Sequence, residues 1–215
     1  MKRNVLECYE QGLRSAAGGH EHGWSLRIRH GHAHELPLHH WTGGLIDGDT
    51  SLLDPCTGPT LDVGCGPGRI TEALAVRGIP ALGIDIAAEA VRQTRRRGVD
   101  ALHRDVFSTL PGLGRWHHIV LADGNIGIGG DPVRLLGRAH ELLARGGTVL
   151  CEAGQPGLGL RRLEARLERK GQHSAWFSWA QVGISTLTDL APSIGLAPRR
   201  VWTEAGRWFA ELVRL

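Results

Sequence analysis

The run Leu61-Asp62-Val63-Gly64-Cys65-Gly66-Pro67-Gly68-Arg69 limits what this chain can fold into more than any other stretch. Strand-type residues enter a loop with glycine at every second position. A helical pattern follows at once, with Ile70, Ala73 and Leu74 on one face and Gly78 placed as its stop. A strand that turns into a helix through glycines brings bare backbone N–H groups against a bound ligand. The dinucleotide fingerprint G-x-G-x-x-G/A needs a small third residue so that helix and strand pack closely. Arg69 holds that place here, and Gly68 stands one residue too early. The spacing argues against NAD.

At 215 residues the chain suits one domain with a sizeable core. Its 4 cysteines are widely spaced with no C-x-x-C pair, which predicts reduced thiols in a cytoplasmic protein. Glu7 and Glu10 interrupt the apolar stretch near the N-terminus, so no signal peptide is read there. Apolar runs fall far short of the ~20 residues of a membrane span, so a soluble protein is expected. The net charge of +3 comes from scattered arginines. Arg95, Arg96 and Arg97 close an expected helix before Gly98, where cations complement the helix dipole. Arg161, Arg162, Arg166, Arg169 and Lys170 alternate with Glu164 and Glu168, as on a solvated face. Nucleic acid is therefore not the expected partner.

Strands and helices alternate over 60–154, which predicts a parallel sheet with helices on both faces. The expected strands are 60–63, 81–86, 101–106, 119–122 and 148–153, with a helix over 87–97. Asp131-Pro132 starts another helix, with Asp as N-cap. Leu135, Leu136, Ala139, Leu142 and Leu143 form its buried stripe, and Gly146 its end. A last helix is expected over 184–194. Val201-Trp202-Thr203 and the run 208–213 are separated only by a turn at Ala205-Gly206, so they pair antiparallel. Trp208, Ala210 and Leu212 face one way and Phe209 and Val213 the other, as in a strand inserted inside the sheet.

Two segments lie outside this core. Residues 1–45 begin with an amphipathic helix (Val5, Leu6, Tyr9, Leu13), followed by a hairpin of 24–29 and 33–38 around His30-Gly31. In 155–182, Leu160, Leu163 and Leu167 suit a helix, whereas Leu163, Ala165 and Leu167 alternate like a strand; periodicity leaves both open. The whole of 1–215 is read as one domain, with its core at 60–154, an insertion at 155–182, and the last helix and hairpin at 183–215.

With its flanking strand and helix, Asp-x-Gly-x-Gly-x-Gly resembles the first motif of class I S-adenosylmethionine (SAM)-dependent methyltransferases, and the likeness extends from about Thr60 to the C-terminus. It implies a Rossmann-like, doubly wound α/β sheet, mostly parallel with a C-terminal antiparallel hairpin, and SAM as cofactor. Ligands of such sheets bind beyond the carboxyl ends of the strands. On this resemblance Gly64, Gly66 and Gly68 take the methionyl part, and Asp62 orients the loop and the amino group. Asp85, 21 residues after Gly64, ends the second strand and accepts from both ribose hydroxyls, a geometry shared with NAD proteins. Asp105 accepts from the adenine amino group, Val106 offers its N–H to the ring, and Ile86 an apolar contact.

SAM carries its methyl on a positive sulfur, so the protein must hold a nucleophile in line at about 3–3.5 Å. The resemblance puts the acceptor over the fourth strand's end, at 123–130, which holds four glycines in eight residues. That segment resembles bacterial, largely actinobacterial, methyltransferases of unassigned substrate. It lacks the Asn/Asp-Pro-Pro-Tyr motif of enzymes that methylate amino groups of bases and glutamine. Asp123 contacts the SAM amino group or acts as base. Asn125 orients the acceptor or forms a turn. Glu152 is a second candidate base or an exposed strand-end acid. Trp176, Phe177 and Trp179 wall an acceptor pocket or pack as a lid. His30, His32 and His34 share a strand face only if no turn breaks it, and no carboxylate or cysteine completes a set, so no metal is expected. His39 or His40 could reach the site as a base. The reading is a methyltransferase of a small molecule. An RNA or protein methyltransferase, with a basic groove leading to Asn125, and a non-catalytic SAM-binding protein are the alternatives.

Overall fold

The computed structural model describes residues 2–20 and 23–215. Its elements run β1 (Lys2–Arg3), α1 (Val5–Ala17), β2 (Ser25–Ile28), β3 (Ala33–Glu35), α2 (Leu38–Thr42), α3 (Asp49–Leu53), β4 (Thr60–Val63), α4 (Arg69–Val76), β5 (Ala81–Asp85), α5 (Ala88–Arg96), β6 (Ala101–His103) and β7 (Trp116–Leu121). A 3-10 segment (Asn125–Gly130) leads to α6 (Pro132–Leu142), β8 (Leu143–Ala153), β9 (Leu160–Arg169), β10 (Gln172–Ser174), β11 (Phe177–Val182), α7 (Ile184–Leu190), β12 (Leu196–Glu204) and β13 (Arg207–Arg214). No helix among the described residues is long and apolar enough to cross a membrane.

Seven strands form the main sheet in the order β12-β13-β8-β7-β4-β5-β6. Strands β8 to β6 are parallel, and β13 is inserted antiparallel between β8 and β12. The chain leaves β4 towards β5 and later returns on its other side as β7, so a crevice opens between the carboxyl ends of β4 and β7.

Alternation along the strands divides the core. Ile119, Leu121, Ala210 and Leu212 join Leu135, Leu136 and Leu187 of α6 and α7. Val120, Ala122 and Phe209 join Leu52, Leu53, Ile70 and Leu74 of α3 and α4 on the opposite face. Each large side chain buried there contributes about 1.5–3 kcal/mol, and a one-residue slip would turn the whole set to the wrong face. Ala205 (φ 50°) and Gly206 (φ 77°) are both left-handed, the pairing a two-residue hairpin turn requires.

Several element ends differ from expectation, among them the last helix, which stops at Leu190 before a 3-10 turn (Ala191–Ile194). Helix α6 starts as read, with Asp131 accepting from the N–H groups of Val133 and Arg134, but it stops at Leu142 rather than Gly146. Leu143 is already paired with Trp116, and the strand ladder overrides the helical pattern. The third strand ends at His103 because the Asp105 carboxylate accepts the Phe107 N–H at 2.9 Å and turns the chain. The second strand ends at Asp85, one residue early.

The open stretch 155–182 is strand, and its partners explain why. β9 pairs with β2 of the N-terminal hairpin (Leu26↔Leu167, Ile28↔Ala165) as well as with β10 and β11. The two additions are therefore one six-stranded sheet. By register Leu26, Ile28, Leu163, Ala165, Leu167, Phe177 and Trp179 share its inner face. Arg27, Glu164, Arg166 and Glu168 share the outer one, where Glu168 pairs with Arg27 at 3.1 Å and Arg166 at 2.6 Å. Helix α1 joins this sheet to the core, since Cys8 and Leu13 pack with Trp24, Leu167, Ala87 and Ala90.

The second sheet docks on the main body along the 3-10 segment. A Cβ on Gly127 would lie 2.2 Å from the Ala180 carbonyl oxygen, and one on Gly130 2.8 Å from the Ser178 Cβ. These glycines are needed by β11. Gly127→Ala is thus expected to lower stability by about 1–3 kcal/mol through overpacking. Gly137→Ala, inside α6 with only Ile194 at 4.0 Å, should raise it by about 0.5–1 kcal/mol. Urea denaturation measures both; equal effects would mean that β11 is not seated there.

Candidate functional site

The glycine loop closes the crevice. Gly64, Gly66 and Gly68 have φ of 73°, 53° and 90°, where other residues are strained. The N–H groups of Gly64 and Cys65 donate to the Ile84 carbonyl at 2.9 and 3.0 Å, that of Gly66 to Asp85 Oδ2 at 2.9 Å, and that of Gly68 to the Cys65 carbonyl. The expectation of bare donors facing a ligand is corrected: these four bond inside the protein. Thr94 of α5 supports the loop from below, donating to the Gly66 carbonyl at 2.8 Å. A Cβ on Gly68 would strike the same threonine at 2.7 Å.

Asp85 is 7% exposed and anchors two backbone segments, accepting from Gly66 with one oxygen and from the Ala87 N–H, at 2.8 Å, with the other. Burial raises its pKa, and the hydrogen bonds from Ala87 and Gly66 oppose the shift. Each oxygen keeps a further lone pair for a diol. Just beyond, Ile86 is an exposed apolar side chain. Asp105 is exposed, and Val106 is buried in the main core. The Arg104 N–H donates to the Asp85 carbonyl at 2.9 Å, which brings this turn beside the Asp85 strand end.

Across the crevice, Asp62 is 2% exposed and accepts from Thr71 Oγ1 at 2.7 Å. Its carboxylate therefore braces α4 rather than the loop. Asp123, directly after β7, has φ of 53°, a strain of about 1–3 kcal/mol for a side chain of this kind. Its N–H donates to Glu152 Oε2 at 2.7 Å, and its carboxylate pairs with Arg69 at 2.5 Å. Arg69 is 3% exposed and also pairs with the fully buried Asp49. Arg207 donates to both oxygens of Glu152 (3.0 and 2.8 Å) and to Asp49 at 2.8 Å. Glu152 is therefore an ion-pair partner. Burial raises the Asp123 pKa, with Arg69 pulling it down.

A cavity of about 50 Å³ remains between these groups, lined by Tyr9, Trp41, Asp62, Gly64, Arg69 and Asp123 among others. Tyr9 and Trp41 meet edge to face, with centroids 6.2 Å apart. Arg97 ties this cap down, donating to the carbonyls of Thr42 and Gly43 at 2.7 and 2.8 Å. Sequence reasoning missed Tyr9, Trp41, Asp49, Arg69 and Arg207 as site residues. Arg69 carried a signal, a charged residue where a helix begins beneath a sheet. Asp49 and Arg207, 158 positions apart, carried none.

The proposed acceptor residues separate. Asn125 donates from Nδ2 to the carbonyls of Val63 and Gly64, both at 3.0 Å, and so clamps the loop. Trp179 lies against Gly127 on the inner face of the second sheet. Trp176 lies on the outer side, with Arg166 4.6 Å and Arg29 5.7 Å from its ring centroid. His30 (φ 62°) sits in the hairpin turn, and among the described residues no three metal-ligating side chains converge. His39 and His40 do not line the cavity.

Asp62 offers a test of the crevice's polarity. Burial pushes its pKa up from 3.8 to about 7, against the Thr71 hydrogen bond, with Asp123 and Asp85 adding to the rise. The stability due to the neutral acid is fully present below the unfolded value and is lost as pH rises through about 7. Asp62→Asn keeps an acceptor for Thr71 without the charge. Its stability relative to wild type should increase between about pH 4 and pH 7 and level off above, by at most about 1.4 kcal/mol per pH unit. A difference independent of pH would mean that this carboxylate is well solvated.

Residues 60–147 match the family model described as a methyltransferase domain. An uncharacterized protein of Mycobacterium tuberculosis is 30% identical over 141 residues, 64% of this chain and 48% of that protein. Trans-aconitate 2-methyltransferase of Paracidovorax citrulli is 32% identical over 96 residues, 43% of this chain and 37% of its own length. The chain thus spans about half the length, or less, of these curated relatives. A SAM-dependent methyltransferase from Bacteroides fragilis, solved with S-adenosyl-L-homocysteine, superposes with a TM-score of 0.81 at 19% identity, covering 100% of this chain and 98% of that one. Residues 60–147 are thus a match to a methyltransferase domain, and the chain as a whole shares the fold of a SAM-dependent methyltransferase.

Proposed function

We propose that this chain binds SAM in the crevice between β4 and β7 and transfers its methyl group to a small-molecule acceptor. The observation that carries the cofactor is the polarity of the crevice. The loop N–H groups are bonded inward, and Asp62, Asp85 and Asp123 surround the loop. A pyrophosphate needs free N–H donors and positive potential, whereas a sulfonium and an ammonium suit carboxylates. The methyltransferase-domain match supports the same cofactor.

SAM, when bound, supplies an electrophilic methyl group. Asp85 accepts from the ribose, and Ile86, Asp105 and Val106 border the adenine. Asp62, Gly64, Gly66, Gly68 and Asp123 border the methionyl part. Tyr9 and Trp41 line the cavity on the side of the N-terminal segment and border the bound cofactor there. The acceptor lies against the inner face of the second sheet, beyond its contact with the 3-10 segment, where Ile28, Leu163, Phe177 and Trp179 are partly exposed. Such a wall suits a flat or apolar molecule. The named relative acts, by its name, on trans-aconitate, a small molecule. Pairing of the outer-face arginines with Glu164 and Glu168 favours this over a nucleic-acid acceptor. Trp176 takes no part, whereas Asn125 clamps the loop and lines the cavity beside Asp123, where it orients the acceptor. Shared packing of α1 and α5 favours a single domain over 1–215, and four buried free thiols fit a cytoplasmic setting.

Calorimetry should show binding of S-adenosylhomocysteine and none of NADH. Asp85→Asn should weaken the former at least about tenfold, since a ribose hydrogen bond to a carboxylate contributes about 1.5–3 kcal/mol. Tight NADH binding with silence towards S-adenosylhomocysteine would overturn the assignment.

A further inference from the structure

Arg207 lies at the start of β13, directly after the C-terminal hairpin turn, yet its guanidinium reaches the cofactor crevice. It is 15% exposed, grips Glu152 with two hydrogen bonds and Asp49 with a third, and stands 3.6 Å from Asp123 Oδ1. Glu152 accepts the N–H of Asp123, the residue held at φ 53° on the cavity wall. The side chain of Asp123 is fixed by Arg69, which shares Asp49 with Arg207. Both the backbone and the carboxylate of Asp123 are thus set through Arg207's partners. The five groups number three carboxylates and two guanidiniums, a net negative charge suited to one cationic group.

We propose that Arg207 is a positioning residue for the methionyl end of the cofactor, acting through Glu152 and Asp49 to hold Asp123 where it meets the cofactor's ammonium group. This rests on the SAM reading above. It assigns the C-terminal hairpin a role in cofactor recognition besides filling the sheet. A bidentate grip with a third bond needs the planar fork of arginine, so lysine cannot replace it.

The test compares two ligands that share the nucleoside. S-adenosylhomocysteine carries the amino-acid end; methylthioadenosine does not. With Arg207→Gln and Arg207→Lys, calorimetry should show at least about tenfold weaker binding of S-adenosylhomocysteine, while methylthioadenosine stays within about twofold of wild type. Glu152→Gln, a milder change, should reduce the same preference by about three- to fivefold and decides the matter if the Arg207 variants fail to fold. Equal losses for the two ligands would reduce Arg207 to a structural residue, and no loss for either would remove it from the site. If wild type binds neither ligand, the cofactor reading itself fails, an outcome distinct from failure of the positioning role.

Discussion

One carboxylate holds the centre of this structure together. Asp85 accepts from the Gly66 N–H in the loop after β4 and from the Ala87 N–H before α5. It thereby joins two βα connections that are neighbours in space but about 20 residues apart in sequence. Without it two buried N–H groups would lose their acceptor, each at a cost of about 1–3 kcal/mol. The loop could not then keep its left-handed glycines against Thr94. In the proposed function the same oxygens accept from the ribose, so that one group both shapes the loop and serves recognition.

The crevice is unusual in how much charge it buries. Asp62, Asp85 and Asp123 all have pKa values raised by burial, and only Asp123 has guanidinium partners. Placing three carboxylates around a loop with no free donors among the four N–H groups described is costly unless a cationic ligand balances them. A zwitterionic sulfonium compound meets that requirement better than a phosphate. The N-terminal cap lines the same cavity as Asp62 and Asp123, and Arg97 fastens it to the core through Thr42, Gly43 and Glu72.

Much of the core was legible because its signals are local. Glycine spacing, strand alternation and the Asp131 cap each act within a few residues, and the two-sided pattern of β13 foretold its place inside the sheet. Legibility ended where distant segments decide. Leu163, Ala165 and Leu167 fit helix or strand until β2 supplies hydrogen bonds from 140 residues away. The glycines of 124–130 read as room for a ligand, but Gly127 and Gly130 make room for β11. Trp176 and Trp179 looked like one cluster, yet Trp179 lies on the inner face of β11, whereas Trp176, in the link before that strand, packs against the outer-face Arg166. Arg207 and Asp49 meet only because the hairpin and α3 converge on the crevice.

The account depends on the nucleoside lying at Asp85 with its amino-acid end at Asp123. A crystal structure with S-adenosylhomocysteine tests this directly. The ribose hydroxyls should lie within hydrogen-bond distance of Asp85, the adenine against Ile86, and the ammonium group beside Asp123. A nucleoside bound away from Asp85, or an amino-acid end turned away from Asp123, would contradict it.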